Sequence, residues 1–308
     1  MTQPYDPLRP SVSRWLPIRG LRYHAQEWGD ASLVSRDRPT LVLLHGWMDV
    51  GASFQFVVDA LAAAGDAPRH IVAPDWRGFG QTDASGADCY WFPDYLGDLD
   101  ALLDAISPDR PVDLLGHSMG GNVVMSYAGV RPKRIRRLIN LEGFGLPASN
   151  PDDAPARLGR WLDELRTQST LRDYGSVEEV AARLVANNPR LATDKAAWLA
   201  PHWSRQAADG RWRILGDAAH KRTNPVPYRV DEVLAAWRAI AAPLLWAEGS
   251  ATRLDGWWSG KYSMPEFKQR LAVVAGHREV VIEDAGHMLH HDQPQALALA
   301  LADFLGTP

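Results

Sequence analysis

The sequence predicts a protein of the α/β class, with a mostly parallel sheet covered by helices. Short runs rich in Val, Leu and Ile alternate with stretches of helical length towards both ends of the chain, as repeated strand-helix units do. The middle of the chain lacks this alternation. Hydrophobic residues make up 46% and charged residues 23% of the 308, an ordinary globular composition that excludes a disordered or collagen-like chain.

Seven strands and five helices are expected outside the middle of the chain. Most of the strands are short and apolar throughout, as strands buried on both faces are. They cover 21–28, 41–44, 70–73, 112–115, 138–141, 244–247 and 279–282. Between them, apolar residues at helical spacing predict helices over 52–64, 95–106, 120–130, 265–274 and 295–305.

Residues 146–241 are expected to form an inserted helical layer. Helical segments at 161–165, 177–186, 195–199 and 230–240 are separated by Pro and polar clusters, without a convincing strand. Five of the thirteen tryptophans lie here, and they either fill the core of this layer or in part line an apolar pocket facing the main domain: 161, 198, 203, 212 and 237. The remaining residues, 1–145 and 242–308, are 212 in number (308 minus 96) and suit one α/β core domain.

Charge and cysteine content narrow the function classes. The net charge is -4 and the pI is near 6.2, so the chain lacks the excess of basic residues typical of proteins that bind nucleic acid or an anionic membrane. Cys89 is the one cysteine, so no intrachain disulfide is expected. Residues 1–15 hold three prolines and no apolar signal-peptide core, and no run of about 18 apolar residues occurs. We therefore expect a cytoplasmic protein without a membrane span.

The strongest motif is G-H-S-M-G-G at 116–121, directly after an apolar strand and before a helix. This is G-x-S-x-G in its strand-turn-helix context, with Ser118 on a sharp, strained turn. The flanking glycines remove Cβ atoms that would collide where strand and helix approach. A dinucleotide-binding G-x-G-x-x-G would need Gly where Ser118 stands. Ser118 is therefore predicted to be a nucleophile.

Three more motifs lie along the chain, two before this one and one after it: H-G-W at 45–47, D-W-R-G-F-G at 75–80 and G-H-M at 286–288. With these four motifs the chain resembles the α/β-hydrolase superfamily over nearly its whole length. The resemblance implies an eight-stranded sheet with a helical cap inserted after the sixth strand, and the pattern changes near Leu146, at that point.

His287 is the expected general base, because a serine hydroxyl needs one within about 2.6–3.2 Å. It follows a predicted strand, lies in a Gly-containing loop and precedes the last helix. His290 and His291 follow at spacings that can bind a metal. No acidic ligand stands at zincin spacing in that run, so neither a metal nor another cofactor is expected.

The acid that orients His287 departs from the common superfamily pattern. Most members carry an Asp after the seventh strand, where this chain has Ser250. Glu142 ends the sixth strand, a position from which a minority of the superfamily draws its acid. Glu142 is the preferred candidate, with Asp255 and Glu248 as alternatives. In the other interpretation Glu142 has only a structural role and pairs with an arginine near the hinge of the cap.

The resemblance assigns the oxyanion hole to backbone N–H groups, those of Met119 and Trp47. The Trp47 ring could also lie across an acyl pocket. His45 and His117 are expected to orient loops rather than transfer protons.

The 75–80 turn is expected to serve folding. Asp75 and Arg77 are predicted to pair there, with Gly78 and Gly80 in backbone conformations closed to other residues.

Together these residues predict a serine hydrolase for small carboxylic esters, thioesters or lactones, weakly favouring an apolar or aromatic acyl group. Carbon–carbon bond hydrolysis and perhydrolysis remain open on the same triad. Dehalogenases and epoxide hydrolases of the superfamily need a carboxylate nucleophile, which Ser118 is not. A catalytically silent binding module is the alternative of another class, and the missing Asp at position 250 is the feature in its favour. The oligomeric state stays open.

Overall fold

The computed structural model describes residues 5–306, and its strands form two sheets. In chain order the strands are β1 Val12–Ile18, β2 Leu21–Trp28, β3 Leu41–Leu44, β4 Ile71–Pro74, β5 Val112–His117, β6 Ile135–Leu141, β7 Asp173–Tyr174, β8 Ser204–Gln206, β9 Trp212–Ile214, β10 Leu244–Gly249 and β11 Arg278–Ile282. The main sheet has eight strands in the order β1-β2-β4-β3-β5-β6-β10-β11. Its pairings are antiparallel between β1, β2 and β4, and parallel from β4 onwards. The predicted fold class is confirmed.

Helices cover both faces of this sheet. In chain order the helices of the described residues are α1 Gln55–Ala63, α2 Phe92–Ile106, α3 Met119–Val130, α4 Ala154–Leu165, α5 Val177–Asn187, α6 Thr193–Trp203, α7 Val230–Arg238, α8 Leu254–Trp257, α9 Met264–Leu271, α10 Leu289–Asp292 and α11 Pro294–Gly306. None of the helices within residues 5–306 has the length and hydropathy needed to cross a membrane.

The short apolar strands are buried because each contributes to two cores. Along β3, Leu41 and Leu43 face the core under α1 and α11, whereas Val42 and Leu44 face the core under α2 and α3. Successive side chains of a strand point to opposite faces of the sheet, so both faces of β3 must be apolar. This double burial fixes the strand ends that carry the polar motifs.

Two predictions about the elements outside residues 146–241 need correction. The strand β1 is missing from the sequence-based assignment because its sequence, V-S-R-W-L-P-I, mixes Ser, Arg and Pro with apolar residues. It lies at the edge of the sheet, where a proline such as Pro17 is tolerated. The helix expected over 52–64 begins instead as a 3-10 turn, Gly51–Phe54, and continues as α1.

The expectation of no strand in residues 146–241 is wrong. This segment carries α4 to α7 together with a three-stranded antiparallel sheet in the order β7-β9-β8. Each of these strands is two or three residues long, too short for alternation to be visible in the sequence. The tryptophans at 198, 203 and 212 pack with Val50 and Phe56, which lie outside this segment, and Trp237 is buried in the core under α2 and α3.

The predicted ion pair between Asp75 and Arg77 is also wrong. The Arg77 guanidinium binds Asp98 on α2, with Nη2 2.6 Å from Oδ1. The carboxylate of Asp75 turns inward and accepts the backbone N–H of Gly51 at 2.8 Å. Gly80 packs closely against this carboxylate. Its φ is 54°, in the left-handed region that favours glycine, so the conformation expected for Gly80 is found.

Candidate active site

Ser118 lies at the junction of β5 and α3 in a backbone conformation that L-residues rarely adopt, with φ 53° and ψ −114°. The two flanking glycines allow this turn. A Cβ added to Gly116 would lie 2.3 Å from the carbonyl oxygen of Gly120, and one added to Gly120 would lie 2.3 Å from that of Leu44. The turn therefore presents the Ser118 hydroxyl at the carboxyl edge of the sheet.

His287 lies in the loop after β11 and contacts Ser118 directly. Its Nε2 is 2.9 Å from Ser118 Oγ, and its Nδ1 is 3.0 Å from Glu142 Oε2. Because a carboxylate can only accept, we assign the imidazole proton to Nδ1. The Nε2 lone pair then accepts the Ser118 hydroxyl proton. This tautomer is the one that a general base requires.

Glu142 is the first residue after β6, and its side chain is fully buried. The turn is held by Asn140, whose Oδ1 accepts the Gly143 N–H at 2.9 Å, and Glu142 has a φ of 56°. Its Oε1 accepts the Gly249 N–H at 2.6 Å, and the Thr252 hydroxyl lies 2.9 Å from both carboxylate oxygens. These donors fix the carboxylate so that Oε2 faces His287.

The other candidate acids lie elsewhere. Glu248 binds the Lys268 ammonium at 2.9 Å. Asp255 is exposed on α8. Ser250 occupies the usual acid position, and its hydroxyl accepts the Asp284 N–H at 3.0 Å. Of the carboxylates in the described part of the chain, Glu142 is the one brought within hydrogen-bond distance of His287.

The two expected oxyanion donors flank Ser118. Met119 is the first residue of α3, where an N–H has no acceptor within the helix. Trp47 follows Gly46, at which an added Cβ would lie 3.1 Å from the Ser118 Cβ. The Trp47 side chain is 51% exposed, so its ring is not packed into the core.

His45 and His117 hold the two loops around this site. His45 donates from Nδ1 to the Gly46 carbonyl at 2.7 Å and accepts the Trp76 N–H at Nε2, 2.8 Å away. His117 donates from Nε2 to the carbonyl of His287 at 2.8 Å. Burial lowers the pKa of both imidazoles, and for His117 the neighbouring His290 and His287 lower it further. Both are neutral at pH 7, as the structural role expected for them requires.

Sequence reasoning missed three residues around His287. Thr252 binds Glu142, as described above. The Trp257 ring packs edge to face on the His287 imidazole, with centroids 4.4 Å apart. Asp292 accepts the Gly286 N–H at 2.8 Å and the Asn188 side-chain amide at 2.7 Å, which ties the loop to the inserted segment. Only a motif for the loop after β10 could have pointed to Thr252 and Trp257, because α8 is too short to show periodicity.

Known proteins resemble this chain in sequence and in fold. The family model described as the alpha/beta hydrolase fold matches residues 39–294. A serine hydrolase-like protein of Danio rerio is 25% identical over 94% of this chain and 86% of its own length. Epoxide hydrolase A of Mycobacterium tuberculosis is 26% identical over 96% and 97%. The thioesterase domain from the curacin biosynthetic pathway superposes with a TM-score of 0.79 at 26% identity, covering 96% of this chain and 98% of its own. The chain therefore belongs to the alpha/beta hydrolase fold family.

Proposed function

We propose that this protein is a serine hydrolase that cleaves carboxylic esters or thioesters through an acyl-enzyme on Ser118. The observation that carries the proposal is the chain of short contacts from Ser118 Oγ through the imidazole of His287 to Glu142. Such a chain raises the nucleophilicity of a serine hydroxyl, which is otherwise weak at neutral pH.

The proposed reaction has two half-steps. Ser118 Oγ attacks the substrate carbonyl while its proton moves to Nε2 of His287, and the backbone N–H groups of Met119 and Trp47 stabilise the oxyanion. The leaving alcohol or thiol takes the proton from His287. Water then attacks the acyl-enzyme and loses a proton to His287, and this proton passes to Ser118 Oγ as the bond to the acyl group breaks and the acid is released.

The identity of the nucleophile distinguishes this reaction from epoxide hydrolysis, the activity in the name of one relative. An alkyl-enzyme ester needs a carboxylate at the turn after β5, and this chain has Ser118 there. The thioesterase domain among the solved structures supports acyl transfer instead. In this proposal the Trp257 ring, which packs on His287, contacts an apolar acyl group.

Kinetics with an activated short-chain ester test the proposal. We expect S118A to lose essentially all turnover while remaining folded. S126A is the matched control, because Ser126 lies on the same helix with its hydroxyl bound to the Asn122 carbonyl, and this variant should keep wild-type turnover. Equal turnover in S118A and wild type would reject the proposal, and hydrolysis of an epoxide panel but of no ester would favour the other activity.

A further inference from the structure

A second cluster of chemically active side chains lies behind the Ser118 site. Asp49 comes from the loop after β3, and His290 and His291 come from α10. All three are buried, with 3%, 0% and 3% of their surfaces exposed. One carboxylate oxygen and one ring nitrogen from each histidine lie within 4.8 Å of one another. None of these residues belongs to the proposed catalytic triad.

Most of the polar side-chain atoms of this cluster have no hydrogen-bond partner among the described residues. Both ring nitrogens of His290, both of His291 and Oδ2 of Asp49 are buried without a hydrogen-bond partner in the described part of the chain. Leaving one buried polar group unpaired costs about 1–3 kcal/mol. Five such atoms at one place indicate a further group, and an ion bound by one atom from each residue satisfies three of them.

Asp49 is oriented for such a group. Its Oδ1 accepts the Ser53 hydroxyl and the indole N–H of Trp203, the latter at 3.1 Å. Its Oδ2 is left facing Nε2 of His290 at 3.6 Å, beyond hydrogen-bond distance. Donors that hold one carboxylate oxygen while the other faces a cluster of ligands are typical of the surroundings of metal sites.

We propose that Asp49, His290 and His291 form a buried binding site for a divalent transition-metal ion of the Zn²⁺ type. Two imidazoles and one carboxylate suit Zn²⁺, Co²⁺ and Ni²⁺, whereas Ca²⁺ and Mg²⁺ take oxygen ligands. Ligand atoms about 2 Å from a tetrahedral ion lie about 3.4 Å from one another, so modest side-chain rotations close the site.

The sequence could not show this site, because its acid and its histidines come from opposite ends of the chain. No carboxylate stands at zincin spacing beside His290 and His291, which argued against a metal. The packing of α10 against the 3-10 turn after β3 supplies Asp49 instead. An ion pair of Asp49 with His290 is the competing arrangement, and it leaves both nitrogens of His291 unpaired.

Metal binding to the purified full-length protein tests the proposal. Zn²⁺ content after dialysis, Co²⁺ absorption and the change in Tm on adding Zn²⁺ are measured for wild type, H290Q, H291Q and H277Q. His277 is the matched control because it lies near the surface beside Glu279, away from the cluster. We expect about one Zn²⁺ per chain, visible Co²⁺ bands and a raised Tm in wild type and H277Q, and the loss of all three in H290Q and H291Q.

Two results would overturn the proposal. One is the absence of stoichiometric Zn²⁺ and Co²⁺ binding to wild type. The other is binding that H290Q and H291Q leave intact, which would place the ion on other residues. Should these variants fail to fold, X-ray absorption of Zn²⁺-loaded wild type decides, because the site predicts nitrogen and oxygen neighbours at about 2.0–2.2 Å with imidazole scattering. A spectrum without imidazole ligands contradicts it.

Discussion

Glu142 follows β6 and His287 follows β11, and the two side chains meet across the end of β10, which lies between these strands, with Oε2 of the carboxylate 3.0 Å from Nδ1 of the imidazole. The strand β6, which ends just before Glu142, pairs in parallel with β10, where Leu141 lies opposite Ala247. The carboxyl ends of β6 and β10 therefore lie side by side. An acid carried at either end can reach the same histidine, which explains how Ser250 can stand at the usual acid position.

The first prediction concerns this acid. We expect E142Q to lower kcat by about 10³–10⁴-fold, because a neutral amide neither holds the imidazole tautomer nor stabilises the imidazolium; replacing the triad Asp by Asn in chymotrypsin-type enzymes costs about 10⁴. Ester turnover measures the effect. E248Q and D255N are the matched controls and should stay near wild type. A larger loss in either control than in E142Q would assign the acid to that residue.

Thr252 is predicted to position Glu142 through its hydroxyl. Removing a hydrogen bond to a charged group costs about 1.5–3 kcal/mol, or roughly tenfold to a hundredfold in rate. We expect T252V to lower kcat by at least about tenfold with little change in KM. T252S keeps the hydroxyl and should recover most of the rate. An equal loss in T252S and T252V would indicate a packing role instead.

Stability should fall in acid because of His220. This imidazole is stacked between Phe79 and Tyr90, with centroids 3.7 and 3.5 Å away, and burial lowers its pKa from 6.5 to about 4. Between these pH values the unfolded chain binds a proton that the folded chain does not. The free energy of unfolding therefore falls as the pH drops from 6.5 to 4, by at most about 1.4 kcal/mol per pH unit from this group.

Urea unfolding at a series of pH values checks this effect in wild type and H220Q. The variant is expected to be less stable at pH 7, because it loses the ring stacking, and to show a shallower decline towards pH 4. Parallel declines in the two proteins would show that His220 does not contribute.

The turn at Ser118 gives a prediction about stability. A Cβ at Gly120 would meet the Leu44 carbonyl oxygen at 2.3 Å, so G120A must push α3 away from β3. We expect it to lose about 1–3 kcal/mol or more in urea unfolding. G159A is the matched control, because Gly159 lies in α4 with open space around it, and it should gain about 0.5–1 kcal/mol. G120A as stable as wild type would contradict the close approach.

The site residues that the sequence predicted all lie just after strands of the parallel part of the sheet. Ser118 follows the buried strand β5, Glu142 follows β6 and His287 follows the edge strand β11, so the common edge of a parallel sheet brings them together. Thr252 and Trp257 lie in the segment after β10, whose one helix has four residues and is too short to show a helical repeat of apolar residues. Strand β1 and the small sheet of β7 to β9 were missed because edge position and short length weaken alternation.

Two contacts between separate elements were beyond reach of any local pattern. Arg77 pairs with Asp98 on another element rather than with its near neighbour Asp75, and Asp49 meets His290 from the other end of the chain. Such partners depend on how whole elements pack.

Peptide mapping by mass spectrometry after reaction with a fluorophosphonate tests the central claim most directly. The account predicts one covalent adduct, located on Ser118, that is absent from S118A and formed more slowly by E142Q. An adduct on any other residue, or no adduct on a folded wild-type protein that hydrolyses esters, would contradict it.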